Sequence, residues 1–147
     1  MDTLIVCIGN RDGGDDAIGP YIAEKMKILS PDDMVLDCGI LPENYTAEVK
    51  QKKPKTLVLI DAAEMNLPAG EIRIIPKGKL GAMHISTHGI PLLVFIQYLE
   101  KEIDRIIFIG VQSETMNGSM SKPVKKSADH LIDLLKKKKI NQIKTLQ

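Results

Sequence analysis

Leu4-Ile5-Val6-Cys7-Ile8-Gly9-Asn10-Arg11-Asp12-Gly13-Gly14-Asp15-Asp16-Ala17-Ile18-Gly19-Pro20 is the stretch from which the rest of the chain can be placed. It starts with an unbroken apolar run, β-branched at Ile5, Val6 and Ile8, that stops at Gly9, the pattern of a central strand buried on both faces. Gly9, Gly13, Gly14 and Gly19 then permit tight or positive-φ backbone, while Asp12, Asp15 and Asp16 gather carboxylates just ahead of a helical pattern that opens near Ile18. The product is an acidic loop at the carboxyl end of a strand. Such a loop repels phosphate and contains neither GxGxxG nor GxxxxGK[ST], so a nucleotide reading fails. Its acids suit a cation, or Asp15 or Asp16 simply caps the helix that follows.

Composition narrows the partners. The 147 residues are expected to form one domain, 1–147, and 20 Lys+Arg against 19 Asp+Glu give a net charge of +1. No global field therefore draws the chain to nucleic acid or an anionic membrane, and the few aromatics give no stacking platform for single strands. Cys7 and Cys38, far apart and in strand-like segments, fit small core residues in a reducing compartment. No basic targeting segment opens the sequence and no apolar run is long enough to span a membrane, so a soluble, cytoplasmic protein is expected.

Further along, Ile18 to Leu29 has helical spacing, with Pro20 tolerated in the first turn. Met34 to Cys38 gives a second strand, Pro42 to about Lys52 a modest helix, and Thr56 to Ile60 a third strand running straight into Asp61. Glu71 to Pro76 alternates in the manner of an edge strand, plausible as antiparallel. Lys77 to Ser86 shows no period and reads as a mobile loop; a helix follows from Leu92 to about Ile103. Arg105 to Val111 is another buried strand, Gln112 to Lys122 an irregular loop, and Pro123 to about Lys138 the last helix. The lysine run 136–139 reads as its solvated end. This alternation predicts an α/β fold: a three-layer sandwich whose five-stranded, mostly parallel sheet has one antiparallel edge strand and helices on both faces.

Ligands of open α/β sheets bind beyond the carboxyl ends of strands, at the switch point of the topology. If the first and third strands are neighbours, Asp16 and Asp61 overhang one crevice, and His88, after the edge strand, is the third group able to reach it. Two carboxylates and an imidazole suit a divalent transition metal. His84 is a candidate second partner on the same loop, whereas His130 falls within the last helix and reads as solvent-facing. Neither Ser86 nor Thr87 sits in a nucleophile elbow and Cys7 is mid-strand, so any hydrolysis requires water activated by a metal or a carboxylate.

Several ordered motifs now coincide: Gly9-Asn10, Gly14-Asp15-Asp16 and Gly19-Pro20; Pro42-Glu43-Asn44; Leu59-Ile60-Asp61-Ala62; Pro68 to Ile75; Ser86-Thr87-His88 with Pro91-Leu92; Gly110-Val111-Gln112; and Lys122 to Lys125. Together they resemble the endopeptidases that mature the large subunit of [NiFe] hydrogenases, in particular the formate-hydrogenlyase, or hydrogenase 3, type. The resemblance implies that Asp16, Asp61 and His88 contact metal. It also implies that the metal is nickel carried by the substrate, a hydrogenase large-subunit precursor that loses a short C-terminal extension in one cut. A resting enzyme without metal is the corollary. Two other readings share these residues: a receiver-like domain with Mg²⁺ and Asp61 as phosphoacceptor, and a non-catalytic nickel-sensing or chaperone module. Against the first, the acids follow the first strand late, and Gln112-Ser113 stand where a lysine is wanted.

Overall fold

The computed structural model describes residues 2–81, 84–85 and 91–147, with backbone alone at 84–85. Strand β1 (Thr3–Cys7) pairs in parallel with β2 (Met34–Asp37) on one side and β3 (Thr56–Glu64) on the other. Next to β3 runs β6 (Arg105–Gln112), again parallel, and β4 (Ile72–Ile74) closes that side antiparallel to β6. The order is β2-β1-β3-β6-β4, so the first and third strands are neighbours as expected. Off this path lies β5 (His84–Ile85), a two-residue strand antiparallel to the end of β3.

Period-2 alternation divides the core. Ile5, Cys7, Val58, Ile60, Ala62, Ile107, Ile109 and Val111 face helices α1 (Ile18–Leu29) and α5 (Lys122–Lys136). Leu4, Val6, Ile8, Leu57, Leu59, Ala63 and Phe108 face the opposite layer. There, Val49 of α2 (Thr46–Lys52), Leu80 of α3 (Lys77–Leu80) and Phe95 and Leu99 of α4 (Leu92–Leu99) fill the space. Helix α5 has buried Val124, Ala128, Leu131, Ile132 and Leu135 on one stripe, the spacing that docks a helix on a sheet. The three-layer sandwich is thus observed.

Several boundaries differ from the expectations, for physical reasons. Strand β3 does not stop at Ile60 but continues to Glu64, because β6 pairs with it through Ala63↔Gln112; Asp61 lies inside the strand. The segment expected to be a mobile loop contains α3 and β5: Leu80 anchors a single helical turn after Pro76, and β3's extension offers β5 an edge. Neither Asp15 nor Asp16 caps α1, whose N-cap is Ala17; a 3₁₀ turn over Gly14–Ala17 carries both acids instead. Cys38 sits just past β2 yet is buried, as Cys7 is. The four lysines 136–139 are exposed, and among the described residues no helix is long and apolar enough to cross a membrane.

The C-terminal segment was not legible as structure. After a 3₁₀ turn at Ile140–Gln142 it crosses the outer edge of β4, where Ile74 N–H donates to Lys144 O and Leu146 N–H to Ile74 O, at 2.9 and 2.8 Å. Ile143 packs into the α1/α5 layer and Leu146 against the other, so the tail straddles and pairs an otherwise open sheet edge. Ile143→Ala is expected to cost about 2 kcal/mol, read as a lower urea midpoint at unchanged slope.

Candidate active site on the crest of β1 and β3

Both acids of the expected pair lie on the carboxyl side of adjacent parallel strands, Asp16 in the turn that follows β1 and Asp61 in the second half of β3. Beyond β1, Ile8 N–H donates to Ile60 O at 2.9 Å, which prolongs the β1–β3 pairing to the residue before Asp61. Asp61 is wholly buried, and by alternation with Leu57, Leu59 and Ala63 it faces the α4 layer; its Oδ1 accepts from Ala62 N–H at 2.8 Å. Asp16 is 3% exposed and its Oδ2 accepts from Asn10 N–H at 3.0 Å, across the acidic loop.

Glycine makes this approach possible. Gly9 has φ +152°, and a Cβ there would fall 1.9 Å from the carbonyl oxygen of Asp16, so any side chain would push Asp16 off the strand end. The position of Asp16 depends on that contact.

His88 and its neighbours Ser86 and Thr87 lie outside the described residues, as does the side chain of His84. Among the described residues no three His, Cys, Asp or Glu side chains gather as a metal site; Asp16 and Asp61 lie toward the same end of the sheet. His130 is exposed on α5, as expected. Asp12 is exposed on the loop, its N–H bonded to Asn10 Oδ1.

Nucleophilic cysteine chemistry finds no support. Burial pushes the Cys38 thiol up to about 12, helped by the Asp37 and Glu48 charges, and burial raises Cys7 further still, with Asp37 and Cys38 adding to it. Buried thiols held protonated are poor nucleophiles.

Two polar residues with positioning roles escaped the sequence reading. Gln112, 2% exposed, closes the end of β6: its Oε1 accepts from Met65 and Leu67 N–H at 2.7 and 3.3 Å, and its Nε2 donates to Glu64 Oε2 and Ser113 O at 2.7 and 3.0 Å. A lone amide at the end of an apolar strand was the available signal. Asp15 turns away from the crest toward the loop 113–121. Burial alone would raise its carboxyl, but hydrogen bonds from the Thr115, Glu114 and Ser121 backbone and the Ser121 hydroxyl outweigh it and hold the group below its ordinary value. No local pattern announces a pairing across about a hundred positions.

Buried Asp16 and Asp61 beyond the strand centres of a mixed α/β sheet place the chain in the class of open α/β proteins, whose ligands bind at such a switch point. Known proteins give that class its family. A profile of hydrogenase maturation proteases matches residues 20–138. The hydrogenase 3 maturation protease of Escherichia coli K12 is 34% identical over 133 residues, covering 88% of this chain and 85% of the relative. A crystal structure of a hydrogenase 3 maturation protease superposes with a TM-score of 0.91 at 31% identity, covering 100% of this chain and 97% of the other. The [NiFe] hydrogenase maturation protease HycI of Thermococcus kodakarensis gives 0.83 at 34%, covering 94% and 92%. The chain belongs to the hydrogenase maturation proteases. That membership, with β4 antiparallel at the sheet edge where a receiver domain keeps parallel strands, sets the phosphoacceptor reading aside.

Two outcomes follow. Gly9→Ala should destabilise the fold by more than about 3 kcal/mol, measured by denaturant unfolding, because backbone rather than a mobile side chain blocks the added methyl. In mildly alkaline buffer iodoacetamide should leave Cys7 and Cys38 unmodified in the native protein and label both in urea, as seen by intact mass.

Proposed function

We propose that this chain is an endopeptidase that makes one cut in a nickel-loaded [NiFe]-hydrogenase large-subunit precursor, in the cytoplasm, and releases its C-terminal extension. Asp16, Asp61 and His88 engage the nickel that the substrate carries. The observation that carries the reading is a pair of buried carboxylates in a hydrogenase maturation protease, Asp16 in the turn that follows β1 and Asp61 in the second half of the adjacent β3.

Chemistry supports the roles. Carboxylates withdrawn from water attract a divalent ion more strongly than exposed ones, and oxygens fixed by a strand, as in Asp61, or by a backbone N–H, as in Asp16, need little reordering when it arrives. For the imidazole, the covalent chain supplies reach: Ile85 pairs with Ala63, close to Asp61, and three further residues span at most about 10 Å to position 88. With both thiols buried, the attacking group is water, its proton taken by a carboxylate or its oxygen polarised by the substrate's nickel. A precursor without nickel offers no ion to bridge the two proteins, so metal loading becomes the signal for cutting.

The test compares nickel-loaded and nickel-free precursor incubated with the protein, read by mass spectrometry. The loaded precursor should lose one short C-terminal peptide and the nickel-free one none, while Asp61→Asn should reduce the rate by about a hundredfold or more. Cleavage of both forms contradicts the role of nickel. Binding of the loaded precursor with no mass change contradicts the protease and favours the non-catalytic module.

A further inference from the structure

On β3 and β6, Asp61 shares its face of the sheet with one other polar side chain. Leu59 and Ala63 flank it along β3, and the residues of β6 opposite these three are Phe108, Gly110 and Gln112. Gly110 has no side chain to set beside Asp61; a Cβ there would fall 2.5 Å from Ile75 Cδ1, so Ile75 fills that place. Gln112 stands one register pair further on, opposite Ala63 and buried.

The amide of Gln112 is spent on the end of β3. After Glu64 the chain turns, with Asn66 at φ +58°, and two side chains take the three successive N–H groups of the turn. Gln112 Oε1 accepts from Met65 and Leu67 at 2.7 and 3.3 Å, and Glu64 Oε2 accepts from Asn66 at 2.9 Å. Gln112 Nε2 donates to that same Glu64 oxygen at 2.7 Å and to Ser113 O at 3.0 Å, so the two side chains are also bonded to each other. An amide has two acceptor and two donor sites, and all four are used here. The network closes at the point where β3 is paired on both sides. Ala63 lies opposite Gln112 of β6, and Ala63 and Glu64 lie opposite Ile85 and His84 of β5. Without the amide, N–H groups at this end lose their acceptors, in a strand whose apolar run stops at Ile60.

We propose that Gln112 is a positioning residue for Asp61: by pinning the end of β3 against β6 it keeps the acid inside a strand, with its carboxylate held toward the ion or water on which it acts. This rests on the reading of the protein as a precursor endopeptidase. The bonds of the amide go to backbone and to Glu64, so it acts through the strand. An unpinned end frays back toward Asp61, and a side chain two residues from a fraying end loses the fixed orientation that metal binding and proton transfer require.

Gln112→Met keeps the length of the side chain and removes the amide. Amide exchange should quicken at Ala63, Glu64, Met65 and Leu67 and stay unchanged in β1. Affinity for Ni²⁺ alone, read by competition with a chromophoric chelator, and kcat/KM on nickel-loaded precursor should each fall about tenfold. Ile143→Ala, which loosens the tail along β4, controls for lost stability: where both variants are folded it should leave nickel affinity and kcat/KM at wild-type values. Glu64→Ala, at an exposed position, removes the other half of the network. It should move exchange and nickel affinity in the same direction, and it carries the test if Gln112→Met does not fold. Faster exchange with nickel affinity and kcat/KM unaltered overturns the proposal, since the amide is then structural alone. Unchanged exchange at the end of β3 overturns it, and so do equal losses in Ile143→Ala, which trace the effect to stability. A wild-type protein that leaves the loaded precursor uncut defeats the parent reading, and this inference with it; that failure shows without any variant.

Discussion

Parallel pairing of β1 with β3, from Thr3↔Thr56 to Cys7↔Ile60, is the constraint on which the crest depends. Both strands are apolar on both faces through their centres, so they are stable in the middle of a sheet and nowhere else. Once paired, they bring the loop after β1 and the far half of β3 to the same end of the sheet. A slip of one residue would turn Asp61 from the α4 layer to the α1 layer, and hydrophobic contacts on both faces resist it. Burying carboxylates there is costly, and the backbone N–H groups of Asn10 and Ala62 offset part of that cost.

The neighbouring acids illustrate how one short loop serves two ends. Asp16 packs its backbone directly against Gly9, a contact that no larger residue allows. Asp15, one position earlier, points to a loop that begins after β6 and ends at α5. Gln112 does for the loop after β3 what Asp15 does for the loop after β6: a single buried polar side chain satisfies several backbone groups where regular pairing ends. Both loops are thereby fixed around the same end of the sheet without a disulfide; the two cysteines are free and buried.

Much of this was legible from residues alone because the strong signals were local. Ile18 to Leu29 spells out its helix, Arg105 onward its strand, and the runs at Leu4 and Thr56 their central position. What was misread depended on distant partners. The length of β3 is set by β6 and β5, not by its own composition, so the apolar run alone places its end at Ile60, before Asp61. Capping stood beside cation binding as a local reading of Asp15, since capping is the ordinary local use of such a residue, whereas its actual donors lie about a hundred residues on. The tail that pairs β4 offered no period at all; a single bridge at Thr145 and two apolar anchors hold it. Of the candidate trio, strand topology placed Asp16 and Asp61 toward the same end of the sheet, where the structure has them, while His88 lies outside the described residues.

The most direct measurement is anomalous scattering at the nickel edge from crystals of this protein grown with Ni²⁺. One peak should appear at the crest of β1 and β3, bound by carboxylate oxygens of Asp16 and Asp61 and an imidazole nitrogen of His88. A peak held by other groups, or an imidazole of His88 out of reach of both acids with nickel bound, would contradict the account.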